Sequence, residues 1–329
     1  MSTAPLLEVE DLEVHFPIRG GLLSRPRGHV RAVDGVSFTI ARGETFGLVG
    51  ESGCGKTTAG LAILRMIQPT RGAVRFEGRA LAGLAPPALR EVRRDMQIVF
   101  QDPYSAINPR MQVGESIGEP LLVHGIAKGD VLERRVRALL DLVGMPASAA
   151  ARYPHQFSGG QRQRLVIARA LALRPKLIVC DEPVSALDVS VQSQILNLLG
   201  ELQRTFGVAY LFISHDLSVV RHISDRVGVM YLGRLVEVAP TDALFAAPQH
   251  PYTLALMSAI PLPDPQQQRA RHRIVLEGEL PSPAAPPAGC RFHTRCPYVF
   301  ERCPAEQPLL KSVGARHLVA CHLRETGMP

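Results

Sequence analysis

Gly50-Glu51-Ser52-Gly53-Cys54-Gly55-Lys56-Thr57 follows a short apolar run, ETFGLV, and opens a stretch with helical spacing, TTAGLAILRMI. The octet matches G-x-x-x-x-G-K-[ST], and strand, glycine-rich loop and helix come in the order that this pattern requires. Glycines here let the backbone curl until successive N–H groups face phosphate oxygens. The helix that starts there adds the positive end of its dipole. Lys56 supplies a cation for β- and γ-phosphates, and Thr57 a hydroxyl for Mg²⁺. Gly50, Ser52, Gly53, Gly55, Lys56, Thr57 and Thr58 are therefore the expected phosphate-binding set. Cys54 reads as a small tolerated side chain rather than a redox group.

A second chemical feature supports the first. LIVCDE is a buried-type strand that delivers Asp181 and Glu182 at its C-terminal end, where open α/β sheets bind their ligands. Asp181 suits the Mg²⁺ shell and Glu182 suits the polarisation of an attacking water; Cys180 reads as core. Ser158-Gly159-Gly160-Gln161 opens the helical stretch QRQRLVIARALAL and forms a second potential anion cradle. Gln101 follows the apolar strand MQIVF, and His215 follows the strand AYLFIS.

Strands and helices alternate along the chain, which predicts an α/β core with mostly parallel strands. LLEVEDLEVHF and VRAVDGVSFTI read as strands, with PIRGGLLSRPRG between them as a turn-rich excursion, and RGAVRFEG reads as a hairpin arm. From about residue 103 to 164 the pattern is helical and reads as an inserted subdomain. Near residue 260 the composition shifts: PLPDPQQQRARHR and LPSPAAPPAG are proline-rich linker chemistry. The expected organisation is a nucleotide-binding domain over 1–259 and a linker with a cysteine-containing extension over 260–329.

In order, the phosphate loop, Gln101, the SGGQ segment, Asp181-Glu182, Ser185-Ala186-Leu187-Asp188 and His215 resemble the nucleotide-binding subunits of ABC transporters, over roughly residues 5–245. The resemblance implies a P-loop ABC ATPase fold with an inserted helical subdomain. It implies head-to-tail pairing, with ATP and Mg²⁺ between the phosphate loop of one subunit and Ser158, Gly159, Gly160 and Gln161 of the other. Gln101 takes the place of the glutamine that meets Mg²⁺ and senses the membrane partner. Ser185 to Asp188 resemble the loop that communicates across the dimer, and His215 the histidine that contacts the γ-phosphate. Phe157 stands where leucine is commonest, a departure that leaves the anion-binding atoms intact. An aromatic early in the chain stacks on adenine in such subunits; Phe16 is the candidate, with His29 as the alternative and simple core packing as a third reading of Phe16.

Further stretches, among them VFQDPYSAINPRMQVGESIGEPL, DEPVSALDVSVQSQILNLL and HPYTLALMSAIP, are similar to the dipeptide/oligopeptide importer family, and within it to the second ATPase subunit. That implies a sister ABC ATPase, two transmembrane permeases and an extracytoplasmic substrate-binding protein as partners, and a position on the cytoplasmic face of the inner membrane. Relatives also import nickel and glutathione, and a non-transport regulatory ABC ATPase is the alternative from another class.

Composition agrees with these expectations. A chain 46% hydrophobic and 20% charged buries a real core and is neither disordered nor fibrous. Its apolar runs stop short of the ~18 residues of a membrane span. The first residues carry acids before any arginine, unlike a secretory leader. The net charge of +7 is scattered among acids with no dense basic run, so no nucleic-acid partner is expected.

Four of the six cysteines crowd the end of the chain as Cys290-x5-Cys296-x6-Cys303-x17-Cys321. Four thiolates suit tetrahedral zinc or an iron–sulfur cluster. The spacings are wider than the paired cysteines of structural zinc sites and are not those of a ferredoxin; zinc, a cluster and free thiols all stay open on the residues alone. In the importer family a similar motif holds a [4Fe–4S] cluster in some members.

Overall fold

The computed structural model describes residues 4–20, 25–260 and 274–325. The chain forms two compact units: Met1–Ile40, Thr45–Ala82 and Ile213–Pro329 make the first, and Ala41–Glu44 with Gly83–Phe212 the second.

The first unit begins with β1 (Leu7–Gly20), β2 (Arg25–Ile40), β3 (Thr45–Val49), α1 (Lys56–Ile63), β4 (Arg71–Phe76) and β5 (Arg79–Ala80). The chain then enters the second unit through α2 (Pro86–Asp95), β6 (Met96–Val99), α3 (Pro103–Ala106), α4 (Val113–Val123), α5 (Gly129–Leu142), α6 (Gly159–Leu171), β7 (Leu177–Asp181), α7 (Val189–Phe206) and β8 (Ala209–Ser214). It returns with α8 (Leu217–Ile223), β9 (Arg226–Tyr231), β10 (Arg234–Pro240), α9 (Thr241–Ala246), α10 (Pro251–Ser258), β11 (Lys311–Gly314) and β12 (His317–Val319).

In the first unit, β2-β1-β4-β5 form an antiparallel sheet, and β11, β12, β10, β9 and β3 lie side by side with β3 and β9 parallel. In the second, β8, β7 and β6 are neighbours, with β6 and β7 parallel. Strands β3, β7 and β8 are buried along their whole length. This is the condition of strands covered on both faces, and it explains their continuous apolar runs.

One local expectation needs correction. The excursion PIRGGLLSRPRG is not turn-rich throughout: Pro17 pairs with His29, Ile18 with Gly28 and Arg19 with Pro26, so both strands run on to Gly20 and from Arg25. Long antiparallel pairing outweighs the local glycine and proline signals; residues 21–24 lie outside the described residues. A helix unread in the sequence also precedes the strand MQIV: PPALREVRRD opens on two prolines and its apolar side is short, with Leu89 half-buried and Val92 buried. Of the two proline-rich stretches, PLPDPQQQRARHR lies outside the described residues. LPSPAAPPAG runs beside β2, where the Arg31 N–H donates to the Pro283 carbonyl at 3.0 Å.

Arginine pins the helices of the second unit. Arg169 of α6 donates to Glu119 at 2.8 Å, to the Ala106 carbonyl at 3.1 Å and to the Ser116 carbonyl at 3.2 Å. One planar fork thus satisfies groups from α3 and α4 together.

A buried polar knot holds the end of the chain to the first unit. Glu237 of β10 is fully buried; its carboxylate accepts the N–H groups of Gln249 at 2.7 Å and His250 at 2.9 Å and meets His317 Nε2 of β12 at 2.7 Å. His250 in turn caps α10 by accepting the Tyr252 N–H on Nδ1 at 3.0 Å. Burial lowers the His250 pKa to about 4, against a raising influence of Glu237. A histidine whose folded pKa is depressed binds its proton more readily in the unfolded chain. Its contribution is complete above the unfolded value of about 6.5 and is lost as pH falls toward 4. About 2 kcal/mol of unfolding free energy is expected to disappear between pH 7.5 and pH 5 on this account. A His250→Asn chain, which keeps a capping acceptor that does not titrate, should lose that part of the pH slope in urea titrations. An unchanged slope would remove His250 as its source.

Candidate functional site

The phosphate loop lies between β3 and α1. Gly55 caps the helix at φ 107°, no side chain caps the first turn, and a Cβ on Gly55 would stand 2.0 Å from the Ala32 carbonyl oxygen. Only glycine fits there, and no side chain takes the anion's place at the helix start. Lys56 is 5% exposed, and its ammonium donates to the Gly50 carbonyl at 2.8 Å and the Glu51 carbonyl at 3.1 Å. The charge is thus held inside the loop's own curl. Ser52, Gly53 and Thr57 are exposed and Thr58 half-buried beside it. Cys54 is buried; burial raises its pKa, in spite of the neighbouring Lys56, so it stays a neutral thiol.

His215, also of the first unit, is exposed immediately after β8. Phe16 lies on β1 opposite Val30 and is 39% exposed, so it is not a core residue. Nearby, Asp34 of β2 gathers Arg234 at 3.0 Å, Arg291 and His15 Nε2 at 3.0 Å. Burial opposes its charge, but the two guanidinium groups and His15 outweigh it and hold the carboxyl below its usual range. Glu13, His15 and Asp34 have the spacing of a metal site. Two arginines on Asp34 already supply the positive charge that an ion would bring.

The second unit brings Gln101 and Glu182 together: Gln101 Nε2 donates to Glu182 Oε2 at 3.1 Å. Asp181 is 5% exposed at the end of β7, and Glu182 turns out of the strand at φ 47°. Such a backbone is uncommon outside glycine and is found where a side chain has to be aimed.

Ser158 caps α6 in a reciprocal box: its hydroxyl accepts the Gln161 N–H at 3.3 Å, and the Gln161 side chain accepts the Ser158 N–H at 3.1 Å. Gly160 is pressed on α7, where an added Cβ would stand 2.3 Å from Val191 Cγ1, and Gly159 borders Leu187. The signature glycines and the Ser185–Asp188 loop therefore pack as one block. Asp188 caps α7, accepting the Ser190 hydroxyl at 2.6 Å and the Val191 N–H at 3.0 Å. Phe157 is buried, with the Arg152 guanidinium 4.3 Å from its ring centre, so the phenylalanine anchors the segment while Ser158 and Gly159 stay exposed.

Cys290, Cys296, Cys303 and Cys321 line one tight cavity, a thiol chamber of only about 10 Å³, with His250, Phe292 and His322. Among the described residues, no three of the four sulfurs lie within 4.8 Å of one another. Burial pushes the Cys290 thiol up to about 12 and Cys296 to about 11, and the neighbouring cysteines add to the rise. His293 and His322 bond backbone carbonyls, of Cys290 at 2.8 Å and Glu306 at 2.9 Å.

Sequence reasoning missed four residues around the phosphate loop. Arg295 grips Glu51 in a two-pronged ion pair, at 2.8 and 3.2 Å. The Tyr252 hydroxyl accepts the Glu51 N–H at 2.9 Å, and His250 caps the helix that carries Tyr252. The HPY triplet was the available signal.

The ABC transporter family model matches residues 33–185, and the model of the oligopeptide/dipeptide transporter C-terminal region matches residues 236–303. The chain is 53% identical over 319 residues to the oligopeptide transport ATP-binding protein AppF of Bacillus subtilis, covering 97% of both. It is 52% identical over 320 residues to OppF of Salmonella typhimurium, covering 96% of this chain and 95% of that one. Among solved structures it is similar to cbiO1 of Clostridium perfringens, part of the ABC transporter complex cbiONQ, with a TM-score of 0.64 and 27% identity over 74% of this chain and 92% of that one. It is also similar to the dimeric bacterial ABC transporter cassette MJ0796, with a TM-score of 0.63 and 27% identity over 71% of this chain and 98% of that one. With the loop, the signature block and the acidic strand end all in place, the chain belongs to the ATP-binding proteins of the oligopeptide/dipeptide ABC transporter family.

Proposed function

We propose that this chain is an ATP-hydrolysing subunit of an importer of dipeptides or oligopeptides. The observation that carries the reading is the match along nearly the full length to AppF, including the C-terminal region. ATP phosphates lie in the loop of Gly50, Ser52, Gly53, Gly55, Lys56, Thr57 and Thr58, whose uncapped helix start suits an anion. Thr57, Gln101 and Asp181 hold Mg²⁺, Phe16 stacks on adenine, and Glu182 orients water. His215 meets the γ-phosphate, while Ser158, Gly159, Gly160 and Gln161 grip the nucleotide of a sister ATPase. Residues 1–259 form the nucleotide-binding domain and 260–329 its extension.

Two permeases and an extracytoplasmic binding protein complete the machine, with this chain on the cytoplasmic face of the inner membrane. Among the described residues, no helix is long and apolar enough to cross a membrane.

Four cysteines around one cavity are a donor set that suits a [4Fe–4S] cluster, which Cys290, Cys296, Cys303 and Cys321 would hold. A tetrahedral zinc with Zn–S bonds of ~2.3 Å needs its sulfurs about 3.8 Å apart, tighter than this arrangement. A cluster would supply the positive charge that draws buried thiols to thiolates, and would cross-link a segment with little core of its own.

Uptake tests the reading. Cells deleted for this chain should regain import of labelled dipeptides and oligopeptides when it is restored. Restored nickel or glutathione uptake alone would change the cargo, and no restored uptake would overturn the importer reading.

A further inference from the structure

The segment that begins and ends at Cys290 and Cys296 carries three side chains that reach the phosphate loop or its supports. Arg295, whose side chain is 9% exposed, holds both carboxylate oxygens of Glu51, the loop's second residue. Phe292 is buried, edge-on to Tyr231 at 5.3 Å and tilted on Tyr252 at 5.4 Å. Arg291 donates to the Leu232 carbonyl and to Asp34. The next residue in that turn, Gly233, donates its N–H to the loop's Cys54 carbonyl at 2.8 Å.

His250 and Pro251 also line the thiol chamber. They lead directly into Tyr252, which accepts the Glu51 N–H. The chamber therefore touches the loop by two routes that meet at one residue: Arg295 on the Glu51 carboxylate and Tyr252 on the Glu51 backbone. A two-pronged arginine–carboxylate pair with little solvent around it is the kind of ion pair that fixes geometry.

We propose that the thiol chamber governs the phosphate loop: a ligand shared by the four sulfurs anchors the Cys290–Cys296 segment, so that Arg295 stays on Glu51 and the loop keeps its ATP-binding shape, and loss of that ligation frees the segment and loosens the loop. Arg295 is thus a positioning residue that acts through Glu51. The inference rests on the reading that this loop binds ATP and that the four sulfurs share one ligand.

The test uses the full chain and a fluorescent ATP analogue with Mg²⁺. Arg295→Ala should weaken binding about tenfold, raising KM for ATP while kcat changes less than about twofold. Glu51→Gln, which keeps the side chain's shape, should cost the same, and the double variant no more than either alone. Cys290→Ser with Cys296→Ser should weaken binding similarly, and should add nothing in the Arg295→Ala background. Arg295→Ala with unchanged affinity, additive losses for Arg295 and Glu51, or unchanged affinity in the chain with Cys290→Ser and Cys296→Ser would overturn the coupling, provided Lys56→Ala had raised the Kd about 100-fold. Lys56→Ala with normal binding would instead overturn the nucleotide reading on which the inference stands.

Discussion

Glu182→Gln is expected to bind Mg-ATP as the parent chain does and to lose hydrolysis by ~10²–10⁴-fold, the usual worth of a positioned general base. The carboxylate stands one residue past Asp181, turned out of its strand by a left-handed backbone and touched by Gln101. Glutamine is nearly isosteric and can still accept from Gln101, so the local structure should survive. What it loses is the negative charge that orients and activates water. On the proposed head-to-tail pairing with a sister ATPase, nucleotide bound but not cleaved would keep both faces engaged, so ATP-dependent association should persist in size-exclusion runs. Near-normal turnover would take Glu182 out of this role and pass it to another acceptor.

Lys56→Ala is the second large effect. The ammonium donates to the Gly50 and Glu51 carbonyls, and its nitrogen also lies 3.8 Å from Cys54 Sγ. On the proposed function, nucleotide binding exchanges these carbonyl contacts for phosphate oxygens, which accept more strongly because they are charged. Hydrogen bonds to charged groups are worth about 1.5–3 kcal/mol each. Losing one or two should raise the Kd for ATP by about 100-fold. The variant also leaves two inward carbonyls without their cation, so some stability should go with the affinity. Calorimetric titration against the parent chain decides the point; an unchanged Kd would place the phosphates elsewhere.

What the sequence made legible is local chemistry. The phosphate loop, the SGGQ segment and the acidic end of β7 are short contiguous runs whose function depends on backbone shape, and backbone shape is written in glycine spacing and flanking periodicity. The second contact of each group was not legible. Glu51 and Arg295 are separated by 244 positions, and neither occupies a patterned position: one is a free letter of the motif, the other sits among cysteines. Helix α2 was hidden because its apolar side is short: Leu89 and Val92 stand among arginines, and two prolines open it. The long β1–β2 arm was hidden because tertiary pairing overrode glycine and proline. Arg162 shows the same limit from another side. It stands in the polar run QRQR of α6, yet it is 7% exposed, donating to the Pro154 carbonyl at 2.8 Å and lying 3.9 Å from the Tyr104 ring centre.

Strand β12 pairs along β10, with Glu237 opposite Val319 and Val238 opposite Leu318. That pairing makes the last segment a cover. A chain cut after α10 would end with β10 as a bare sheet edge carrying Leu235, Val236 and Val238, all buried in the intact protein. Its fully buried Glu237 would lose His317 at the same stroke. An open apolar edge recruits strands from other molecules. By this geometry the extension protects the ATPase from its own copies, quite apart from anything its cysteines bind.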